Sequence, residues 1–297
     1  MGTDVADPEL MRWSLSVGRT ATCLDNTLEG WTVPLRFAPG EGWYYGGAID
    51  WAGIALERIT GMRLDSYLLE NVLRPLGMTD TTFYRDSLGD KVAGRTAPCS
   101  MRNLLTGELT VVPTPYPAEP PVLSAGGGLY MTAADHAKLL QSLLKSSAGE
   151  AGLLREETVH EMFRPQLKPS QRAVLKMVTD VFHDAMVYEF SPGMPLDHGI
   201  SGIINMEDEP GKRRKGSMMW QGMCNGHWVS VCTAVSRVNH VPSPTQLTWL
   251  KWIDRASGIA ATLFLNVTPQ ADAVANKLFD DLERAVYTDL LPSIDGS

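Results

Sequence analysis

The chain has 297 residues, 44% of them hydrophobic and 20% charged, which is ordinary for a globular protein and long enough for one large domain or two. A formal net charge of −8 argues against nucleic acid as the main partner. No apolar run reaches the roughly 18 residues of a membrane span, and the acidic start Met1–Asp7 has no apolar core of the signal-peptide kind, so a cytoplasmic chain without membrane contact is expected.

In chain order, residues 1–36 carry weak patterns. Pro39-Gly40 opens a turn, and from Ala48 the apolar residues Ile49, Ala52, Leu56 and Ile59 recur at helical spacing until Gly61. A second helix is expected over Leu64–Val72, with Tyr67, Leu68 and Val72 inward. Five prolines between Val111 and Val122 exclude a helix there. Gly126-Gly127-Gly128 follows, and then a helix from about Thr132, its expected N-cap, to Ser146. A shorter helix is expected over Glu156–Phe163. Strand-like runs lie at Gly199–Met206, Gly216–Trp228 and Ile259–Val267, and an amphipathic helix at Ala271–Leu290. Helices in the middle and strands with a helix at the end indicate an α+β chain with an antiparallel sheet.

The basic run Lys212-Arg213-Arg214-Lys215 stands beside Glu207-Asp208-Glu209 and reads as a solvated turn. Cys23, Cys99, Cys224 and Cys232 fit no zinc pattern, and the six histidines are scattered, so neither metal nor cofactor is expected and the thiols are expected to be free. Asp197-His198 with Ser201 invites a triad reading, but triads are assembled from distant segments, and an adjacent Asp-His pair is poorly placed for the orienting bond.

Chemistry enters at Phe37-Ala38-Pro39-Gly40-Glu41-Gly42-Trp43-Tyr44-Tyr45-Gly46-Gly47. This segment resembles the second active-site motif of the beta-lactamase-related family, which includes class C β-lactamases, esterases and fungal acyltransferases of the statin side-chain type. Three further stretches resemble the family in the family's order: Leu73-Arg74-Pro75-Leu76-Gly77-Met78, Ser124-Ala125-Gly126-Gly127-Gly128, and Trp220-Gln221-Gly222-Met223. The resemblance implies a β-lactamase/transpeptidase-like fold, an antiparallel sheet with flanking helices and a helical region, over residues 1–297. It implies Tyr45 as general base, its phenolate favoured by a neighbouring Lys. It also implies Trp220, Gly222 and Met223 at a substrate-binding sheet edge, with the Met223 amide in an oxyanion hole, and Tyr116 as a pocket residue. Tyr45 and Trp220 as packed aromatics, and Tyr116 as a loop anchor, remain the alternatives.

Activity follows from the resemblance too. A Ser would take an acyl group from an ester or thioester donor, free or carrier-protein-bound, and pass it to a polyketide-type alcohol or to water. Trp220-Gln221-Gly222 replaces the Lys-Thr-Gly of lactam-binding relatives, which points to neutral or bulky acyl groups. The family places a Ser-x-x-Lys helix before the Tyr motif, and none of the 44 residues ahead of Tyr45 supplies one. The expectation is a chain incomplete at its N-terminus, or else a remnant or binding module of the same fold. Ser142-Leu143-Leu144-Lys145 has the spacing but follows Tyr45, and reads as a solvated helix end. Residues 229–251, without hydrophobic period, read as an insertion between Trp228 and Trp252, with retained intron sequence as one origin and a surface loop as the other.

Overall fold

The computed structural model describes residues 7–84, 96–113, 119–222 and 250–295. Its first part is helical: α1 (Pro8–Ser16), α2 (Leu28–Trp31), α3 (Ala48–Thr60) and α4 (Leu64–Leu68), which runs on through a wide turn at Leu69–Leu73. A hairpin of β1 (Cys99–Arg102) and β2 (Leu109–Val112) follows. Then come α5 (Ala133–Ser147), α6 (Glu156–Met162), α7 (Pro169–Val181) and α8 (His183–Met186). The rest is mostly strand: β3 (Leu196–His198), β4 (Ile203–Asn205), β5 (Met218–Gln221), β6 (Leu250–Asp254), β7 (Ile259–Leu263) and β8 (Val267–Thr268). A C-terminal helix, Ala273–Ala285, packs back on the sheet.

Strands β3-β4-β5-β6-β7 form one antiparallel sheet in sequence order, as the strand-then-helix pattern anticipates. Its central residues alternate between two faces, as a strand's period of two requires. Ile203, Met219, Trp252 and Ala261 lie in one buried cluster with Leu175 of α7 and Phe279 of the C-terminal helix. Ile204, Met218, Ile253 and Ala260 lie in a second with Leu140 and Leu143 of α5 and Val159 of α6. The register pairs like with like: Met219 opposes Ile203 and Trp252, and Met218 opposes Ile204 and Ile253. Both faces are therefore covered, which is why these strands read as continuous apolar runs rather than alternating ones. A small second sheet, β2-β1-β8, joins the hairpin to the strand before the C-terminal helix through a parallel pairing of β1 with β8.

Several expectations meet the structure closely. α3 ends at Gly61, whose φ of 70° is the left-handed cap geometry that glycine adopts without strain. Thr132 caps α5 by accepting from the Asp135 amide at 3.2 Å. Others differ. Around α4 the fully buried residues are Leu64 and Leu73, while Tyr67, Leu68 and Val72 are half-buried. α1 and α7 are unforeseen, although Pro8 and Pro169 stand at their first turns, where a missing N–H costs nothing.

The basic run is not a solvated turn throughout. Arg213 is wholly buried and makes a two-pronged ion pair with Glu283, at 2.6 and 2.7 Å. Lys212 is buried against Asp280, and only Arg214 and Lys215 reach solvent. Of residues 229–251, Leu250 and Lys251 are strand residues paired with Gln221 and Trp220, so an insertion stops short of them; the others lie outside the described residues. Among the described residues, Cys23 and Cys99 are unbridged, no cluster of metal-ligating side chains occurs, and no helix is long and apolar enough to cross a membrane.

Candidate active site

The loop that carries Tyr45 is pinned at both ends. At its start, buried Asp7 caps α1 through the Glu9 and Leu10 amides and accepts from Arg36 Nε at 2.6 Å. In its middle, Gln171 of α7 donates to the Gly40 and Gly42 carbonyls, each at 3.2 Å, and Lys168 reaches the Gly40 carbonyl at the same distance. At its end the chain enters α3, whose first turn holds Asp50. That carboxylate is buried and turned away from its own helix: it accepts from Ser124 Oγ at 2.5 Å and from the Gly126 amide at 3.1 Å. A Cβ at Gly126 would lie 3.1 Å from Asp50 Oδ2, so glycine is what lets the turn come this close. Two stretches singled out in the sequence, the Tyr motif and the Gly-rich turn, are thus held together by one carboxylate.

Tyr44 and Tyr45 face different surroundings, as adjacent residues in extended chain must. The charges acting on Tyr44 are those of Asp7 and Arg36; those acting on Tyr45 are Cys23 and Asp50. The Tyr45 ring stacks on Trp220 of β5, with centroids 5.8 Å apart and planes 24° from parallel. Trp220 in turn meets the edge of His198 of β3 at 5.6 Å, and His198 meets Trp43 at 5.9 Å. Four aromatic rings from the motif loop and two strands therefore form one continuous wall.

Burial raises the Tyr45 pKa, and Cys23 and Asp50 raise it further; among the described residues no cation offsets them. The side chain is nonetheless 48% exposed, so solvent reaches the ring while Trp220 covers the side it stacks on. A phenol in this setting stays protonated at neutral pH. His198 is held neutral chiefly by burial, which lowers its pKa. Its Nδ1 lies 2.5 Å from the Gly199 carbonyl, which can only accept, so Nδ1 carries the proton and Nε2 presents a lone pair.

The tempting triad is absent. Asp197 spends its oxygens on the Gln166, Leu167 and His198 amides and on Arg172, and none on the His198 ring. Ser201 donates to the Met218 sulfur. Ser142 is also no nucleophile, but not for the expected reason: it is buried, and its hydroxyl accepts from the Leu153 amide at 2.7 Å. Of the sequence-predicted site residues, Tyr45 and Trp220 come together, and Gly222 directly follows β5. Tyr116 and Met223 lie outside the described residues. Three residues of the site carry no motif of their own: Cys23 and Asp50 near Tyr45, and His198 on the wall. Asp50 had a signal, an acid in the first turn directly after the Gly-rich entry to α3, and His198 stood out only beside Asp197, in a triad reading that does not hold.

A beta-lactamase family model matches residues 29–283. The chain belongs to this family. Among curated proteins, it is 32% identical over 256 residues to monacolin J acid methylbutanoyltransferase of Aspergillus terreus, covering 84% of this chain and 55% of that one. It is 28% identical over 241 residues to lovastatin esterase of Penicillium rubens, covering 75% and 56%. Among solved structures, a LovD6 mutant of simvastatin synthase from Aspergillus terreus superposes with a TM-score of 0.78 at 29% identity, over 97% of this chain and 62% of that one. The β-lactamase/transpeptidase-like fold anticipated from four short motifs is the fold observed. The chain spans little more than half the length of these curated relatives.

Proposed function

We propose that this chain carries the base and part of the substrate wall of a serine acyltransferase or esterase. The substrates are an ester or thioester donor, free or carrier-bound, and a polyketide-type alcohol or water as acceptor. The observation that carries this reading is Tyr45 stacked on Trp220, which sets the family's second motif directly against its third. Relatives named as a methylbutanoyltransferase and a lovastatin esterase support acyl transfer and ester cleavage as the pair of outcomes. In the reaction a Ser oxygen attacks the donor carbonyl as its proton passes to Tyr45, the donor's alcohol or thiol leaves with a proton, and the acceptor hydroxyl then displaces the enzyme Ser by the reverse route. Gln221 Nε2, buried and without a hydrogen-bond partner among the described residues, adds a donor beside Gly222. The apolar, aromatic wall suits neutral or bulky acyl groups better than a carboxylate.

A second reading, binding without turnover, is favoured by the raised Tyr45 pKa. Incubation of the chain with p-nitrophenyl butyrate separates the two. A burst of p-nitrophenol with a butyryl adduct on intact-mass spectrometry is the outcome for an enzyme, and peptide mapping then identifies the acylated residue. No burst and no adduct, with saturable quenching of tryptophan fluorescence by the ester, is the outcome for a binding module.

A further inference from the structure

A cavity of about 610 Å³ lies at the other end of β6 from the aromatic wall, between the C-terminal half of α5, α6 and the turn after β6. Trp220 pairs with Lys251, and Arg255 comes four positions later, about 13 Å along the strand direction. The polar side chains on the cavity wall are Gln141, Lys145, Ser147, Glu150, His160 and Arg255. We propose that this cavity is a binding site for a phosphate-bearing small molecule, gripped by Arg255 and Lys145.

Arg255 is the main reason. Its guanidinium carbon lies over the Phe163 ring, 4.4 Å from the centroid, a cation–π contact that holds the group in place. Its Nε is buried without a hydrogen-bond partner, and among the described residues no carboxylate pairs with it. Burial pulls its pKa down, the mark of a cation the protein leaves uncompensated. With Nε buried, the two terminal nitrogens are the guanidinium donors left for a phosphate, and a guanidinium presents such a pair in parallel. Lys145 supplies a second charge from the last turn of α5, and it too lacks an ion-pair partner among the described residues. Two cations match a dianion better than a single carboxylate, and Gln141 and Ser147 add neutral donors.

Two features oppose an anion here, and neither prevails. The C-terminal end of α5 is electronegative, but its last carbonyls are already engaged by the Ala148, Gly149 and Glu150 amides. Glu150 is the one carboxylate on the wall and is exposed. His160, on the same wall, sits 3.8 Å from Glu156 of α6.

Isothermal titration calorimetry of the whole chain with sodium phosphate, against sodium acetate at matched ionic strength, tests this. The expected result is saturable one-to-one phosphate binding that is weakened about tenfold by R255Q and by K145Q, since each loses a charge-assisted bond. E150Q should bind several-fold more tightly, because a repelling charge is gone; this variant keeps the test decisive should R255Q fold poorly. No saturable heat, acetate binding as tight as phosphate, or affinities unchanged by all three substitutions would overturn the proposal.

Discussion

Tyr45 takes a proton only as its phenolate, and burial, Cys23 and Asp50 raise its pKa above the ordinary 10. Below that pH the reactive form is a minority that grows about tenfold per pH unit. If turnover depends on Tyr45, the logarithm of the ester-cleavage rate should therefore climb with a slope near one over assays from about pH 7 to about pH 9.5. A neighbouring cation would instead give a plateau from near neutrality. Y45F should lower the rate by about 10²–10⁴-fold, the usual share of a general base. A flat pH profile would assign the proton transfer to another group, and the His198 Nε2 lone pair is the next acceptor on the wall.

At the level of elements, the decisive contact is α3 against the Gly-rich turn. Asp50 reaches across to Ser124 and Gly126, and one turn further along α3, Gly53 faces Ala125. Glycine inside a helix ordinarily costs about 1 kcal/mol relative to alanine. Here a Cβ at Gly53 would stand 2.6 Å from the Ala125 Cβ and 3.8 Å from its Cα, so the turn would have to move. Overpacking of that kind costs about 1–3 kcal/mol, which outweighs the gain in propensity. Gly53→Ala should thus lower the urea midpoint, and the double variant with Ala125→Gly should recover most of the loss. A raised midpoint for the single variant would mean that α3 and the turn are less tightly joined than the geometry indicates. This docking was half legible: the Tyr motif and the Gly-rich turn each stand out in the sequence, but their separation of about 75 positions conceals that Asp50 joins them.

The molecule as a whole encloses a charged cluster beneath the C-terminal helix. Arg213 pairs with Glu283 and lies over the Phe190 and Trp252 rings, at 4.9 and 5.2 Å. Lys212 and Tyr188 border the same space, with Asp280 beyond. Glu189 is buried there with neither carboxylate oxygen hydrogen-bonded, and burial raises its pKa to about 7 from an ordinary 4.5, against the pull of Arg213 and Lys212. The sign follows from linkage: the folded state holds this proton more tightly than the unfolded one. Glu189 therefore costs nothing below pH 4.5, costs progressively more as pH rises toward 7, and costs its full amount, about 3 kcal/mol, above that. Glu189→Gln should be more stable than the parent chain at pH 8 and equal to it near pH 4. Equal stabilities at pH 8, measured by chemical denaturation, would show that Glu189 is not desolvated as placed.

The sequence by itself determined the family, the antiparallel sheet, the ends of α3 and α5, and the two aromatic residues that meet at the site. Each of these rests on local signals: apolar period, capping residues, glycines at turns, and short motifs in a preserved order. Only the tertiary structure decided the rest, because those features depend on partners far away in the chain. Arg213 is buried rather than solvated because Glu283, 70 positions later, receives it. Ser142 is inert because the Leu153 amide occupies its hydroxyl. Among the described residues, burial and the charges of Cys23 and Asp50 are what raise the Tyr45 pKa, and no motif around Tyr45 announces them.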